Sequence, residues 1–89
     1  METRELTIQN KLGLHARAAA LLVQTVNKYK SEVFIEKDGH RINGKSIMGV
    51  MMLAAAKGST IKVEASGCDA LQVVESLESL VKDNFGENE

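Results

Sequence analysis

Apolar residues in this chain switch repeatedly between a period of two and a period of three to four, all within 89 residues. Each period buries one face of a different element, so the fold must combine strands with helices. Thr3-Arg4-Glu5-Leu6-Thr7-Ile8 alternates polar and apolar and reads as a half-buried strand. After Gly13, an alanine-rich stretch from Ala16 to Asn27 sets Ala19, Leu22, Val23 and Val26 on one helical face. Glu32 to Lys37 carries β-branched and aromatic residues and predicts a second strand. Asp38-Gly39 is a strong turn signal, so Arg41-Ile42 is expected to return as the third strand, closing a hairpin.

Ser46 is a good N-cap for the apolar stretch Ile47 to Ala56, a helix expected to end at Lys57-Gly58 and to turn Val50, Leu53 and Ala54 inward. Thr60 to Ser66 alternates again, with Ile61, Val63 and Ala65 inward, as a fourth strand. Asp69, three residues before Gln72, resembles a capping box for a last helix. That helix is expected to align Leu71, Val74, Leu77 and Val81 and to fray into the acidic tail, residues 86–89. The order is β-α-β-β-α-β-α, an α+β fold with its helices on one face of a mostly antiparallel sheet and water on the other. Residues 1–89 suffice for one domain and are too few for two.

Charge and composition then remove whole classes of function. Eleven basic against twelve acidic residues leave a net charge of −1, with no basic run, and aromatics make up only 3% of the chain. Nucleic-acid surfaces need a basic patch, and single-strand binders add stacking aromatics, so that class is excluded. Cys68 has no second cysteine to pair with, and it shows no zinc-ligand spacing with the two histidines. No signal peptide and no apolar run of about 18 residues is present, so a small cytosolic protein without a membrane partner is expected.

Three places can carry chemistry. In Gly13-Leu14-His15-Ala16-Arg17 a histidine stands at the mouth of a helix, where the first amides lack partners and the dipole is positive. An anion on the ring can accept bonds from the amides of Ala16 and Arg17 and a charge-assisted bond from the Arg17 guanidinium. A neutral imidazole nitrogen is a competent nucleophile near pH 7. Spacing alone leaves the plainer alternative open, a histidine beside a helix start and an unrelated surface arginine.

The second place is the nearly all-apolar Ile47 to Leu53. A short helix buries one side only, so Ile47, Met48 and Met51 are expected to be partly exposed as an adaptable docking surface. Deeper burial of the whole helix is the open alternative. Ser46 belongs to the same place, because a phosphate there would be tolerated by the helix end yet bring negative charge beside the docking residues. The third is a look-alike: Gly39 to Ser46 matches the nucleotide-binding pattern G-x-x-x-x-G-K-[ST]. It overlies a hairpin turn and a short strand rather than a buried parallel strand, and nucleotide binding is rejected. His40 reads as a solvated turn residue and Cys68 as an inert loop thiol.

Asn10-Lys11-Leu12-Gly13-Leu14-His15-Ala16-Arg17-Ala18-Ala19 resembles the active-site signature of the HPr family, histidine phosphocarriers of the bacterial phosphotransferase system. Gly44-Lys45-Ser46-Ile47-Met48-Gly49-Val50-Met51 resembles the same family's regulatory-serine region, and the likeness spans essentially the whole chain. The resemblance implies an open-faced β-sandwich of four antiparallel strands and three helices. It implies that His15 accepts a phosphoryl group on Nδ1 from enzyme I and passes it to enzyme IIA domains, with Arg17 and the amides of Ala16 and Arg17 steadying the phosphate. The chain is then a stoichiometric carrier and not an enzyme, with no metal or organic cofactor.

The implied partner surface comprises Ala16, Arg17, Ala20, Gln24, Lys45, Ile47, Met48 and Met51. Ser46 corresponds to the serine modified by a dedicated HPr kinase/phosphorylase, and a monomer is expected. One position departs from the pattern: Ala18 stands where the family signature usually has proline. Alanine leaves one more amide free in the first turn, so transfer is expected to survive with a more mobile loop around His15. The Asn10–Gly13 lead-in is similar to nitrogen-related paralogues and the Lys45–Met48 stretch to the carbohydrate branch, which leaves the branch open.

Overall fold

A computed structural model describes residues 1–87. Four strands, β1 (Glu2–Thr7), β2 (Glu32–Lys37), β3 (His40–Asn43) and β4 (Thr60–Ser66), form one sheet in the order β1-β4-β2-β3. Every pairing is antiparallel. Three helices, α1 (Ala16–Val26), α2 (Ile47–Met52) and α3 (Ala70–Lys82), cover one face, giving the open-faced β-sandwich of β-α-β-β-α-β-α order that was expected.

Strand alternation decides which face is covered. Leu6 pairs with Ile61 and Ile35 with Val63, so Leu6, Val33, Ile35, Ile61, Val63 and Ala65 all point toward the helices and are buried. The helices answer with Ala18, Ala19, Leu22 and Val26 from α1, Val50 from α2, and Val73, Val74, Leu77 and Val81 from α3. Burying each of the Val, Leu and Ile side chains stabilises the fold by about 1.5–3 kcal/mol before the entropy of ordering is subtracted. On the same face Arg4 reaches Glu78 of α3 at 2.7 Å. The outer face is polar, and its aromatic, Phe34, lies under the Arg41 guanidinium, 4.3 Å from the ring centroid. Asp38 and Gly39, with φ of 51° and 82°, form the expected hairpin turn.

Four local expectations are corrected. The second helix stops at Met52, and Ala54, expected to face the core, is exposed with φ of 50°. The chain must leave the helix here so that Ala55, not Ala54, is buried and its carbonyl receives the Leu14 N–H at 2.8 Å. Leu71 is exposed, because Ala70 and Val73 occupy the inward positions of the first turn of α3. Asp69 makes no side-chain cap; its carboxylate instead accepts the N–H groups of Lys30 and Ser31, both at 2.9 Å, and the Ser31 hydroxyl.

The tail does not simply fray. After α3 a short turn, Asn84–Gly86, has positive φ at all three residues, 54°, 54° and 73°, and buries Phe85. The burial of this aromatic turns the chain back over the sandwich and carries Glu87 to the start of α1. The remainder of the acidic tail, residues 88–89, lies outside the described residues.

Candidate functional site

The loop before α1 is shaped by Gly13 and Asn10. The Gly13 N–H donates to the Asn10 carbonyl at 3.1 Å, and the Asn10 amide donates back to the Gly13 carbonyl at 2.8 Å, closing a tight turn. Gly13 has φ of 67° and packs directly against the Ala55–Ala56 backbone. His15 follows as the N-cap residue with extended backbone, and its carbonyl accepts the first helical bond, from Ala19 N–H at 2.8 Å. The amides of Ala16, Arg17 and Ala18 precede that bond and have no intrahelical acceptor. The His15 side chain makes no capping bond, so the ring does not satisfy these donors.

The ring itself is held on one side. His15 Nε2 lies 2.5 Å from Glu87 Oε2, and the same carboxylate oxygen accepts the Asn10 amide at 3.1 Å. Asn10 is fully buried. The bond from His15 is the main cause that holds the Glu87 carboxyl below the usual glutamate range; burial opposes it, and Asn10 and Arg17 reinforce it. Glu87 is therefore an anion at neutral pH. Arg17 is exposed on the first turn of α1, close enough for its charge to be felt at Glu87.

The second half of the candidate surface comes from α2, which packs against α1. Ser46 caps α2 as expected: its hydroxyl accepts the Gly49 N–H at 3.1 Å, and the residue is exposed. Ile47, Met48 and Met51 are 41%, 68% and 41% exposed, while Val50 beneath them is buried, so the shallow-helix expectation holds. Met52, at 78%, extends the apolar patch beyond the residues named from the sequence. Lys45, Ala16 and Gln24 are exposed and Ala20 is half-buried.

The remaining candidates fall apart. Gly39 to Ser46 runs through the hairpin turn, β3 and the following loop, and Gly44 is glycine because it abuts Val33, where a β-carbon would come within 2.9 Å of Cγ1. His40 and Cys68 are exposed loop or edge residues. An open groove of ≈ 580 Å³ beside Thr25, Tyr29 and Ser76 lies at the far end of α1 from His15. Among the described residues, no three His, Cys, Asp or Glu side chains converge to hold a metal ion, and no helix is long and apolar enough to cross a membrane.

Glu87 and Asn10 are the site residues that sequence reasoning missed as such. A lone phenylalanine in an otherwise polar tail was the available signal, since burying Phe85 is what returns the tail to the site.

A histidine at a helix mouth, unbonded amides, an arginine and a neighbouring apolar patch match a known pattern. Residues 2–83 fit the family model described as the PTS HPr component phosphorylation site. The chain belongs to the HPr family, the phosphocarriers of the phosphotransferase system. It is 49% identical to the phosphocarrier protein HPr of Neisseria meningitidis over 89 residues, covering 100% of both chains. Its fold matches an HPr crystal structure from Thermoanaerobacter tengcongensis with a TM-score of 0.96 and 43% identity, covering 100% of each. It is also similar to Crh of Bacillus subtilis, described as a domain-swapped dimer, with a TM-score of 0.75 and 42% identity over 94% of this chain and 97% of that one.

Proposed function

We propose that this HPr-family chain carries a phosphoryl group on His15, taking it from enzyme I and giving it to enzyme IIA domains in the cytoplasm. The observation that carries the reading is the position of His15, a partly exposed ring at the start of α1 next to first-turn amides that it does not cap, and to Arg17. In acceptance, the Nδ1 lone pair forms the new P–N bond while the donor's P–N bond breaks, its electron pair returning to the donor nitrogen. The phosphoryl oxygens then accept bonds from the Ala16 and Arg17 amides, with a charge-assisted bond from Arg17. Ala18 adds a third amide where a proline would have none.

Because one P–N bond replaces another, forward and reverse transfer stay nearly balanced, and a stoichiometric carrier needs no catalytic turnover of its own. Docking uses Ala16, Arg17, Ala20, Gln24, Lys45, Ile47, Met48 and Met51, a flat and largely preformed surface suited to brief contacts. Phosphorylation of Ser46 by an HPr kinase/phosphorylase adds about −1.5 to −2 charge at this surface and weakens docking. The protein acts as a monomer.

A reconstituted relay tests the reading. With phosphoenolpyruvate, enzyme I and an enzyme IIA domain, the IIA domain gains phosphate only when this protein is added. Transfer to the IIA domain at the same rate without it contradicts the carrier role and favours a regulatory protein acting through Ser46.

A further inference from the structure

Resting on the carrier reading, we infer that Glu87, supported by Asn10, is a positioning residue that holds the His15 proton on Nε2 and so presents Nδ1 as the phosphoryl acceptor. The contact is 2.5 Å between Nε2 and a carboxylate oxygen. A carboxylate has no proton to give, so the imidazole must be the donor, and the hydrogen sits on Nε2. A neutral ring bonded in this way keeps its lone pair on Nδ1. Among the described residues Nδ1 has no hydrogen-bond partner, so it is the ring nitrogen left for an incoming group. The carboxylate is itself fixed by the Asn10 amide, which is anchored to the Gly13 carbonyl in the turn that precedes the ring.

The logic is that of a base held in one tautomer by a third group. When Nδ1 takes the phosphoryl group, the ring gains positive charge while its proton stays on Nε2. Glu87 lies against that developing charge, and no proton has to enter or leave during acceptance or release. The residue comes from the tail, 72 positions from His15, so the site is completed only when Phe85 is buried and the tail is folded back.

Long-range ¹H–¹⁵N correlation spectra of the His15 ring, recorded on the full-length protein before any phosphorylation at a pH where the ring is neutral, test this directly. Wild type is expected to show the Nε2–H form alone, Glu87→Ala a mixture of both tautomers, and Glu87→Gln, which keeps an acceptor oxygen at the same reach, mainly the Nε2–H form. In single-turnover transfer from enzyme I, Glu87→Ala is expected to slow acceptance on the order of tenfold at an unchanged KM for enzyme I, with Glu87→Gln between it and wild type. Identical tautomer populations in wild type and Glu87→Ala, or Nδ1–H in wild type, would overturn the inference. Failure of wild type to accept phosphate would instead overturn the carrier reading, and the tautomer comparison would still decide the role of Glu87.

Discussion

Gly13 and Ala55 meet so closely that a β-carbon on Gly13 would lie 2.6 Å from the Ala55 carbonyl oxygen. That same carbonyl accepts the Leu14 N–H at 2.8 Å, so the contact sets where His15 begins its helix. With φ of 67° as well, the position combines left-handed backbone with a backbone clash. Gly13→Ala is expected to cost about 2–4 kcal/mol, from conformational strain and overpacking together. Thermal melting should fall by roughly 10 °C or more. A variant melting within a few degrees of wild type would mean the loop shifts freely and does not position His15.

Ala54 shows the opposite case, an alanine at φ of 50° just past the end of α2, exposed and with no side-chain function to lose. Glycine removes the left-handed strain at some cost in unfolded-state entropy. Ala54→Gly is expected to stabilise the fold by about 0.5–1 kcal/mol, read as a higher urea midpoint at an unchanged slope. A lower midpoint would contradict the strain assigned to this turn.

These two positions also explain what could be read from the chain alone. Glu32–Lys37 and Thr60–Ser66 were legible to the residue, because each alternates Val, Ile or Ala inward with polar residues outward. His15, Arg17, Ser46 and the Ile47–Met51 patch lie in two short segments, where cap chemistry and exposure are local properties. The end of α2 was not legible, since alanines at 54–56 favour helix until the tertiary demand for the Ala55 carbonyl breaks it. Asp69 looked like a local cap, yet its carboxylate is claimed by Ser31, 38 positions away. Glu87 belongs to the same class of contact, made only by the finished fold.

Ser46 separates capping from docking. Ser46→Ala loses the bond from Gly49 N–H and is expected to destabilise the protein by about 1 kcal/mol in urea unfolding. Ser46→Asp keeps a capping oxygen, so the fold should hold while a negative charge beside Ile47 and Met48 weakens enzyme I binding in calorimetry. Full affinity in a folded Ser46→Asp protein would remove Ser46 from the docking account.

Asp69 gives stability a defined pH dependence. The Ser31 hydroxyl first, then the Lys30 N–H, hold its carboxyl below the usual aspartate range, against a smaller opposing effect of burial. The folded value is the lower one, so the stabilisation is complete above the unfolded value and is lost as pH falls through the folded value. Melting curves should therefore show wild type above Asp69→Ala at neutral pH, with the gap closing at acid pH. A gap independent of pH would show that the loss in Asp69→Ala has nothing to do with the charge.

The central claim is that His15 is the phosphoryl acceptor. Its most direct test is incubation with phosphoenolpyruvate, magnesium and the organism's own enzyme I, comparing wild type with His15→Ala by intact mass before and after acid treatment. The account predicts one added phosphoryl group on wild type, lost in acid, and none on His15→Ala. Equal phosphorylation of both proteins, or an acid-stable group on wild type, would contradict it.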